Sequence, residues 1–513
     1  MTRAGRAVAD RAKHLIYDLA DPKITLLIGT GNNGGDGMVA GLFLAQDLPS
    51  ANIRFYQLKP RQDQFSQIAR QAELMVVNAE DDHDKRLLRN MVASADLLID
   101  ALFGIGVRLP LREEAARVLR AVNQAIHERR SETQTLSIVS VDPLLHPPRP
   151  RLQVLAVDCP SGVDVDSGAL DKNTVYADET VTFIGAKVGL LTFPAAQAVG
   201  HLSVAPLNIP PTLPELEAVP DILMTAEVVR DDLPLRGSNS HKGTFGHVLI
   251  IGGSRSYRGA PILSGRAAYR VGAGLVELAL PEPLIAPSAH FLEAIWLPLG
   301  DDQGAFAAHA WQNCAASLAR ANCLLVGPGM GQSESAGHFL FSLLQHICTS
   351  DWNHPLILDA DALNLLAARD SWWTLLPSST ILTPHPGEMA RLCRLTVTEV
   401  QADRWNIARQ KASDWGVTLI LKGAHTIIAD ASGKLAVLPF KTDALAKAGS
   451  GDVLAGIIAG LLAQGLDPVR AARSGAYLHG LAAQSASVST GDSASVVASD
   501  LIEALGRALA RLR

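Results

Sequence analysis

The chain has 513 residues, 48% hydrophobic and 19% charged, with 42 Gly and 28 Pro, a globular composition long enough for two to four domains. Its 45 Lys and Arg against 51 Asp and Glu leave a formal charge of −6, which argues against a dedicated nucleic-acid surface. Membrane, secreted and metal-finger classes are also excluded. The longest strongly apolar stretch, Val453–Ala463, falls short of the ~18–20 residues of a spanning helix. The N-terminal MTRAGRAVADRAKHL lacks a secretory core. Cysteines at 159, 314, 323, 348 and 393 form no CxxC pair, which fits a reducing, cytoplasmic setting.

In chain order, short apolar runs predict strands over Ile24–Ile28, Ile53–Leu58, Leu97–Asp100 and Val154–Asp158. Helices are predicted over Met38–Leu48 and Glu113–His127. Arg129–Pro150 turns polar and ends in HPPRP, which predicts a long surface loop or insertion. Prolines 206, 210, 211, 214 and 220 block helix and ladder pairing and predict a linker. A second alternating pattern follows, with strands over His247–Ile251, Leu275–Leu280, Cys323–Val326, Leu356–Asp359, Thr380–Leu382 and Val417–Leu421. The expected organisation is two α/β domains, 1–210 and 236–513, joined by a Pro-rich linker at 211–235.

ITLLIGTGNNGGDG sets a glycine-rich loop after a strand and before a helix, so its backbone can approach a ligand or can simply make a tight turn. Gly29, Gly31 and Gly34 satisfy G-x-G-x-x-G, but the following strand, IRFYQLK, offers no acid for a ribose, which argues against a standard NAD site. DALFGIG (Asp100–Gly106) and VDCPSGVDVDSG (Val157–Gly168) also follow predicted strands, where α/β proteins gather ligands. Asp100 and Asp158 singly read as loop caps. With Asn33 and Ser161 they make an oxygen set suited to a hard cation. Lys187, in TFIGAKVGLLTFP, belongs near the same edge or in solvent.

In this order, NNGGDG, DALFGIG, DCPSGVD and TF…K.GL…P resemble the epimerase domain of the NAD(P)H-hydrate repair family, over roughly residues 3–210. The resemblance implies a Rossmann-like three-layer fold that interconverts the R and S epimers of hydrated nicotinamide cofactor. It places Asn32, Asn33, Gly34, Gly35, Asp36, Gly104, Ile105, Gly106, Val107, Arg108, Leu109, Pro110 and Asp158 on the substrate. Potassium would be held by Asn33, Asp100 and Ser161, and Asp158 would serve as the general acid/base. The family carries further helical sequence before an AGRAVA-like segment, and the 129–150 insertion is long. Both departures allow for an impaired epimerase.

In the second half, KAGSGDVLAGIIAGLLAQG places Gly449, Ser450 and Gly451 before an apolar helix expected to start near Asp452. Amides there can hold a phosphate without a lysine clamp. Asp452 can cap the helix or accept a proton from a hydroxyl being phosphorylated. LILDADALNLL, ILTPHPGEM and LILKGAHTII set Asp359, Asp361 and His385 at strand ends and Lys422–Thr426 at a hairpin bend.

HKG, GPGMG, DADALN, TPHPGE, LKG..T and GSGDVLAG in this order resemble the ADP-dependent NAD(P)H-hydrate dehydratase domain, a branch of the ribokinase-like fold. The resemblance implies substrate contacts from Ala260, Gly329, His385 and Asp452, with Asp452 as base. It implies nucleotide contacts from Lys422, Gly423, Ala424, His425, Thr426 and Gly451, with magnesium and ADP as co-substrate. Together the halves imply a bifunctional repair enzyme acting on NADHX and NADPHX, a homo-oligomer with neither nucleic-acid nor membrane partner. The alternative is a ribokinase-like small-molecule kinase fused to a non-catalytic scaffold domain.

Overall fold

The computed structural model describes residues 1–134, 151–210, 212–288 and 290–513. They form two compact units, Met1–Leu216 and Glu217–Arg513.

The first unit holds seven parallel strands: β1 (Lys23–Ile28), β2 (Asn52–Gln57), β3 (Met75–Asn78), β4 (Leu97–Ala101), β5 (Gln153–Val157), β6 (Glu179–Phe183) and β7 (His201–Ala205). Their order is β3-β2-β1-β4-β5-β6-β7. The chain winds outward from β1 in one direction and then from β4 in the other, the doubly wound arrangement that opens a crevice at the carboxyl ends of β1 and β4. β4 is buried along its whole length. The helix Thr2–Leu15 turns Ala4, Val8, Ala9 and Ala12 inward at helical spacing.

Two helices differ from expectation. The glycine-rich segment is itself helical: the helix runs Asn32–Asp47 rather than from Met38, and buries Asn33, Gly34, Gly35 and Gly37. Poor glycine propensity is overridden because these small residues let the helix pack closely on the strand ends. The helix Glu113–Gln134 continues past His127 through HERRSETQ, whose Glu, Arg and Gln are good helix formers. The expected loop therefore does not begin at Arg129, and the rest of that segment, 135–150, lies outside the described residues.

The second unit contains β8 (Ile222–Leu223), β9 (His247–Ile251), β10 (Leu275–Pro281), β11 (Ile295–Leu299), β12 (Asp301–Asp302), β13 (Ala305–Phe306), β14 (Cys323–Val326), β15 (Leu356–Leu358), β16 (Thr380–Leu382), β17 (Thr418–Leu421), β18 (Ile427–Ala429) and β19 (Leu435–Val437). β12 and β13 pair separately, and the other ten form one sheet in the order β11-β10-β9-β14-β15-β16-β17-β18-β19-β8. It is parallel from β11 through β17 and antiparallel across β17, β18 and β19. Leu421 pairs with Ile427, which leaves 422–426 as the bend.

The helix Ser450–Ala463 buries every residue from Val453 to Ala463, so the longest apolar run is a core helix. Among the described residues no helix is long and apolar enough to cross a membrane. Within the Pro-rich stretch, β8 pairs with β19, and the helix Ala226–Asp232 follows it.

Candidate functional site

In the first unit the carboxyl ends of β1, β4 and β5 are joined by one chain of hydrogen bonds. Asn33 Nδ2 donates to the Phe103 carbonyl (2.9 Å), and Phe103 N donates to Ser161 Oγ (3.0 Å). Ser161 then donates from Oγ to Asp100 Oδ1 (2.6 Å) and from N to Asp100 Oδ2 (2.8 Å). Asp100 is 1% exposed, and burial raises its pKa against the pull of those donors.

Asn33 Oδ1 is buried without a hydrogen-bond partner. An orphaned amide oxygen, tied through this chain to a buried carboxylate and a hydroxyl, is a donor set that fits potassium. The close approach depends on Gly34, where a Cβ would come 2.0 Å from the Gly29 carbonyl oxygen. Arg61 fastens the same loop, donating from Nη1 to Gly29 O (2.7 Å) and Gly31 O (3.0 Å).

Asp158 follows β5 in a left-handed conformation, φ +65°, unusual for a non-glycine residue and a mark of a constrained loop. Its Oδ1 accepts from Lys187 Nζ (2.6 Å) and Thr182 Oγ1 (3.0 Å), so Lys187 is paired rather than free in solvent. Asp36 is pushed up to about 6, chiefly by burial, with the Asp158 charge adding to the rise. At about 6, the Asp36 carboxyl is poised to exchange a proton with a bound group near neutral pH. Gly104 packs against the Asn33 side chain, whereas Ile105 to Pro110 run on half-buried or exposed.

In the second unit the ends of β15, β16 and β17 meet around Lys422. Its Nζ lies 2.9 Å from Asp359 Oδ1 and 3.7 Å from Glu388 Oε2, and Asp359 also accepts from Thr383 Oγ1 (2.6 Å). Burial works against the ammonium charge, but the two carboxylates outweigh it and raise its pKa. A Cβ on Gly451 would stand 3.5 Å from Nζ, so a lysine flanks the helix start, although the glycine amides there do not by themselves require one. Sequence spacing could not reveal it, because a hairpin bend and a distant helix supply the two groups.

The helix starts at Ser450, two residues earlier than expected, with Gly449 at its N-cap in a left-handed conformation, φ +87°. Asp452 is therefore the third residue of the first turn rather than the cap, and no side chain caps this helix. Burial lifts Asp452 to about 7; Asp359 adds to the rise and Lys422 opposes it. Glu388 also rises to about 7, again chiefly through burial.

A cavity of about 200 Å³ opens beside Lys422, Gly451, Ser450 and Thr426, with Phe440 and His479 among its walls. Gly423 and Ala424 line it too. His425 does not: its ring is buried, with Nδ1 3.0 Å from the Leu438 carbonyl. Ala260 and Gly329 adjoin one another, since a Cβ on Gly329 would lie 3.1 Å from that of Ala260.

His385 is the N-cap of the helix Pro386–Cys393. Its Nδ1 accepts from Gly387 N (3.0 Å), and Nε2 stands 3.3 Å from Glu388 Oε1. Arg61, Glu388, Arg404 and His479 are site-forming residues absent from the sequence candidates, and Asp359, placed at a strand end by the sequence, has no role assigned there. Arg404 holds the hairpin bend through the carbonyls of Ala424 (2.9 Å) and Leu421 (3.2 Å).

Both units thus gather glycine turns and buried carboxylates at the carboxyl ends of parallel strands, the arrangement of a two-site α/β enzyme. The family model described as NAD(P)H-hydrate dehydratase matches residues 248–507, and the one described as YjeF-related protein N-terminus matches residues 1–189. The chain is 34% identical, over all of its own length and 92% of the relative's, to a bifunctional NAD(P)H-hydrate repair enzyme of Moorella thermoacetica. It is 32% identical to one from Escherichia coli, over 99% of this chain and 88% of that one. A solved ADP/ATP-dependent NAD(P)H-hydrate dehydratase from Bacillus subtilis is 32% identical over 57% of this chain and 98% of that one, with a TM-score of 0.48. The chain belongs to the bifunctional NAD(P)H-hydrate repair enzyme family. That membership does not favour the alternative of a small-molecule kinase on a scaffold.

Proposed function

We propose that the first unit epimerises R- and S-NAD(P)HX and that the second dehydrates the S form to NAD(P)H, converting ADP to AMP and phosphate. In the first unit, Asn32–Asp36, Gly104–Pro110 and Asp158 would hold the hydrate, and Asp158 would move its proton. Asn33, Asp100 and Ser161 would ligate potassium, which supplies fixed positive charge beside the substrate when bound.

The second reaction rests on one observation above the others: Asp452, lifted to about 7, lies in the first turn of a helix whose start is flanked by Lys422. A hydroxyl is a poor leaving group, so it must first be esterified. Asp452 takes the hydroxyl proton as the oxygen attacks the terminal phosphorus of ADP and AMP departs. Phosphate then leaves with its bonding electrons while the neighbouring carbon gives up a proton to solvent, and the ring double bond is restored.

The helix-start amides and Lys422 lie on the phosphate side, stabilising the charge that develops there. Ala260, Gly329 and His385 would hold the hydrate. Lys422–Thr426 and Gly451 would hold the nucleotide. Magnesium would come with the nucleotide's phosphates, since this cation keeps phosphate and water ligands. The protein would act in the cytoplasm as a homo-oligomer.

Mixed R- and S-hydrate supplied with and without ADP, both epimers being followed by chromatography, tests the reading. Loss of S-hydrate should require ADP, and R-hydrate should drain through it. Dehydration by the purified protein without nucleotide would refute the second half. An R pool that never drains would refute the first.

A further inference from the structure

The helix Pro468–Thr490 carries Ala476, His479 and Gly480 at i, i+3 and i+4, so they share one face, and that face walls the cavity beside Lys422 and Gly451. His479 is only 6% exposed, and its Nε2 is buried without a hydrogen-bond partner. Buried polar atoms are nearly always paired, so an orphan at a cavity wall points to a ligand atom that completes it.

The Ser450 backbone interacts with the ring in a way that favours its protonated form, and with Nε2 unpartnered that interaction falls to the other ring nitrogen. In such a contact the ring donates, which leaves the lone pair on Nε2. Burial, reinforced by nearby Lys422, keeps the imidazole neutral, with a pKa lowered to about 4. Nε2 is therefore an acceptor waiting for a donor. Around it Leu438, Phe440, Leu454 and Ala476 supply apolar walls suited to the face of a planar base.

We infer that His479 Nε2 accepts a hydrogen bond from the exocyclic amine of the nucleotide's base and so selects adenine over 6-oxopurine nucleotides. The inference rests on the nucleotide reading of this cavity. A 6-oxopurine sets a carbonyl where the amine would be, and two acceptors would then face each other with no proton between them. A ribose hydroxyl is the other donor a nucleotide could offer.

Titration calorimetry of the full chain with ADP, inosine diphosphate and 2′-deoxy-ADP reads the selection directly. The parent should bind ADP about ten- to a hundred-fold more tightly than inosine diphosphate, the range expected for a buried acceptor left unpaired. His479→Leu should bring the two within about threefold. His479→Gln, which can return an amide oxygen to the place of Nε2, should restore part of the preference.

If 2′-deoxy-ADP rather than inosine diphosphate suffers the penalty, and His479→Leu erases it, the donor is the ribose and the base assignment is overturned. Equal preference in the parent and His479→Leu would overturn any selecting role. Should His479→Leu fail to melt cooperatively, His479→Asn, one carbon shorter than Gln, takes its place against the same ratio. If none of the three nucleotides binds the parent, the nucleotide reading of the cavity falls first. Binding of ADP with no selection would overturn the His479 assignment alone.

Discussion

Asp452→Asn removes a proton acceptor while keeping the side chain's size, and the position makes it a clean test. Asp452 is in the first turn of its helix but is not the N-cap, so no capping hydrogen bond is lost. Losing a general base costs about 10²- to 10⁴-fold in rate, and turnover should fall by that amount while ADP still binds.

The same substitution should raise stability, with a pH dependence set by the direction of the shift. The native state holds the Asp452 proton more tightly than the unfolded chain does, with a pKa of about 7 against 3.8. The stability this group contributes is full below about pH 4 and drains away as pH rises to 7. Above that the ionised carboxylate costs on the order of 2–4 kcal/mol, a cost that asparagine does not carry.

The melting-temperature gain of Asp452→Asn should therefore be small at pH 5 and larger at pH 8. Parent turnover should climb through pH 7 to a plateau. Thermal melts at both pH values, run beside turnover read as NADH absorbance, check both statements. A folded Asp452→Asn with near-normal turnover would refute the base, and a stability gain flat with pH would refute the buried charge.

Asp100→Ala should weaken epimer exchange and its response to potassium over sodium, while pure S-hydrate is still dehydrated; chromatography of the epimers reads it. Gly34→Ala drives a Cβ to 2.0 Å from a backbone oxygen that cannot yield, so epimerisation should be lost and dehydration kept. Lys422→Met strands Asp359 and Glu388 without their cation, and should cost about 3–5 kcal/mol in denaturant melts at pH 8, with less loss at pH 5 where Glu388 is protonated. Calorimetry should also show weaker ADP binding by that variant.

The strands that carry the glycine turns were legible because apolar runs ending in Gly or Asp announce parallel strands and the loops at their carboxyl ends. β1, β4, β5, β9, β14 and β15 all follow that rule. β3 and β6 were not, since MVVN is short and ETVTF alternates polar residues within a parallel sheet. Long-range pairing hid the cluster around Lys422: its partner Asp359 is 63 residues away, and only the β15–β17 order brings them together. Arg61 was equally hidden, a lone arginine after β2 whose bonds go to backbone carbonyls 30 and 32 residues earlier. Asp452 was ambiguous between cap and base because the two readings differ by only three residues of helix start, and the glycines before it leave that boundary unmarked in the sequence. His479 gave no signal, lying on a helix rich in small residues where a histidine reads as filler.

The short strand β8 bears on how this chain can be divided. Asp221, just before it, pairs with Arg409 (2.6 Å) and accepts from Leu435 N (3.1 Å), and Asp232, beyond it, is gripped by Arg470 and Arg473. A fragment begun at residue 236 would discard all of this and leave β19 as a naked rim, its outer amides and carbonyls free to recruit strands from other molecules. A fragment begun at 217 would keep the rim covered and retain the Asp232 ion pairs that tie it to the helix Pro468–Thr490. The proline-studded connector thus doubles as a selvedge, finishing the margin of the sheet so that it does not fray into aggregates.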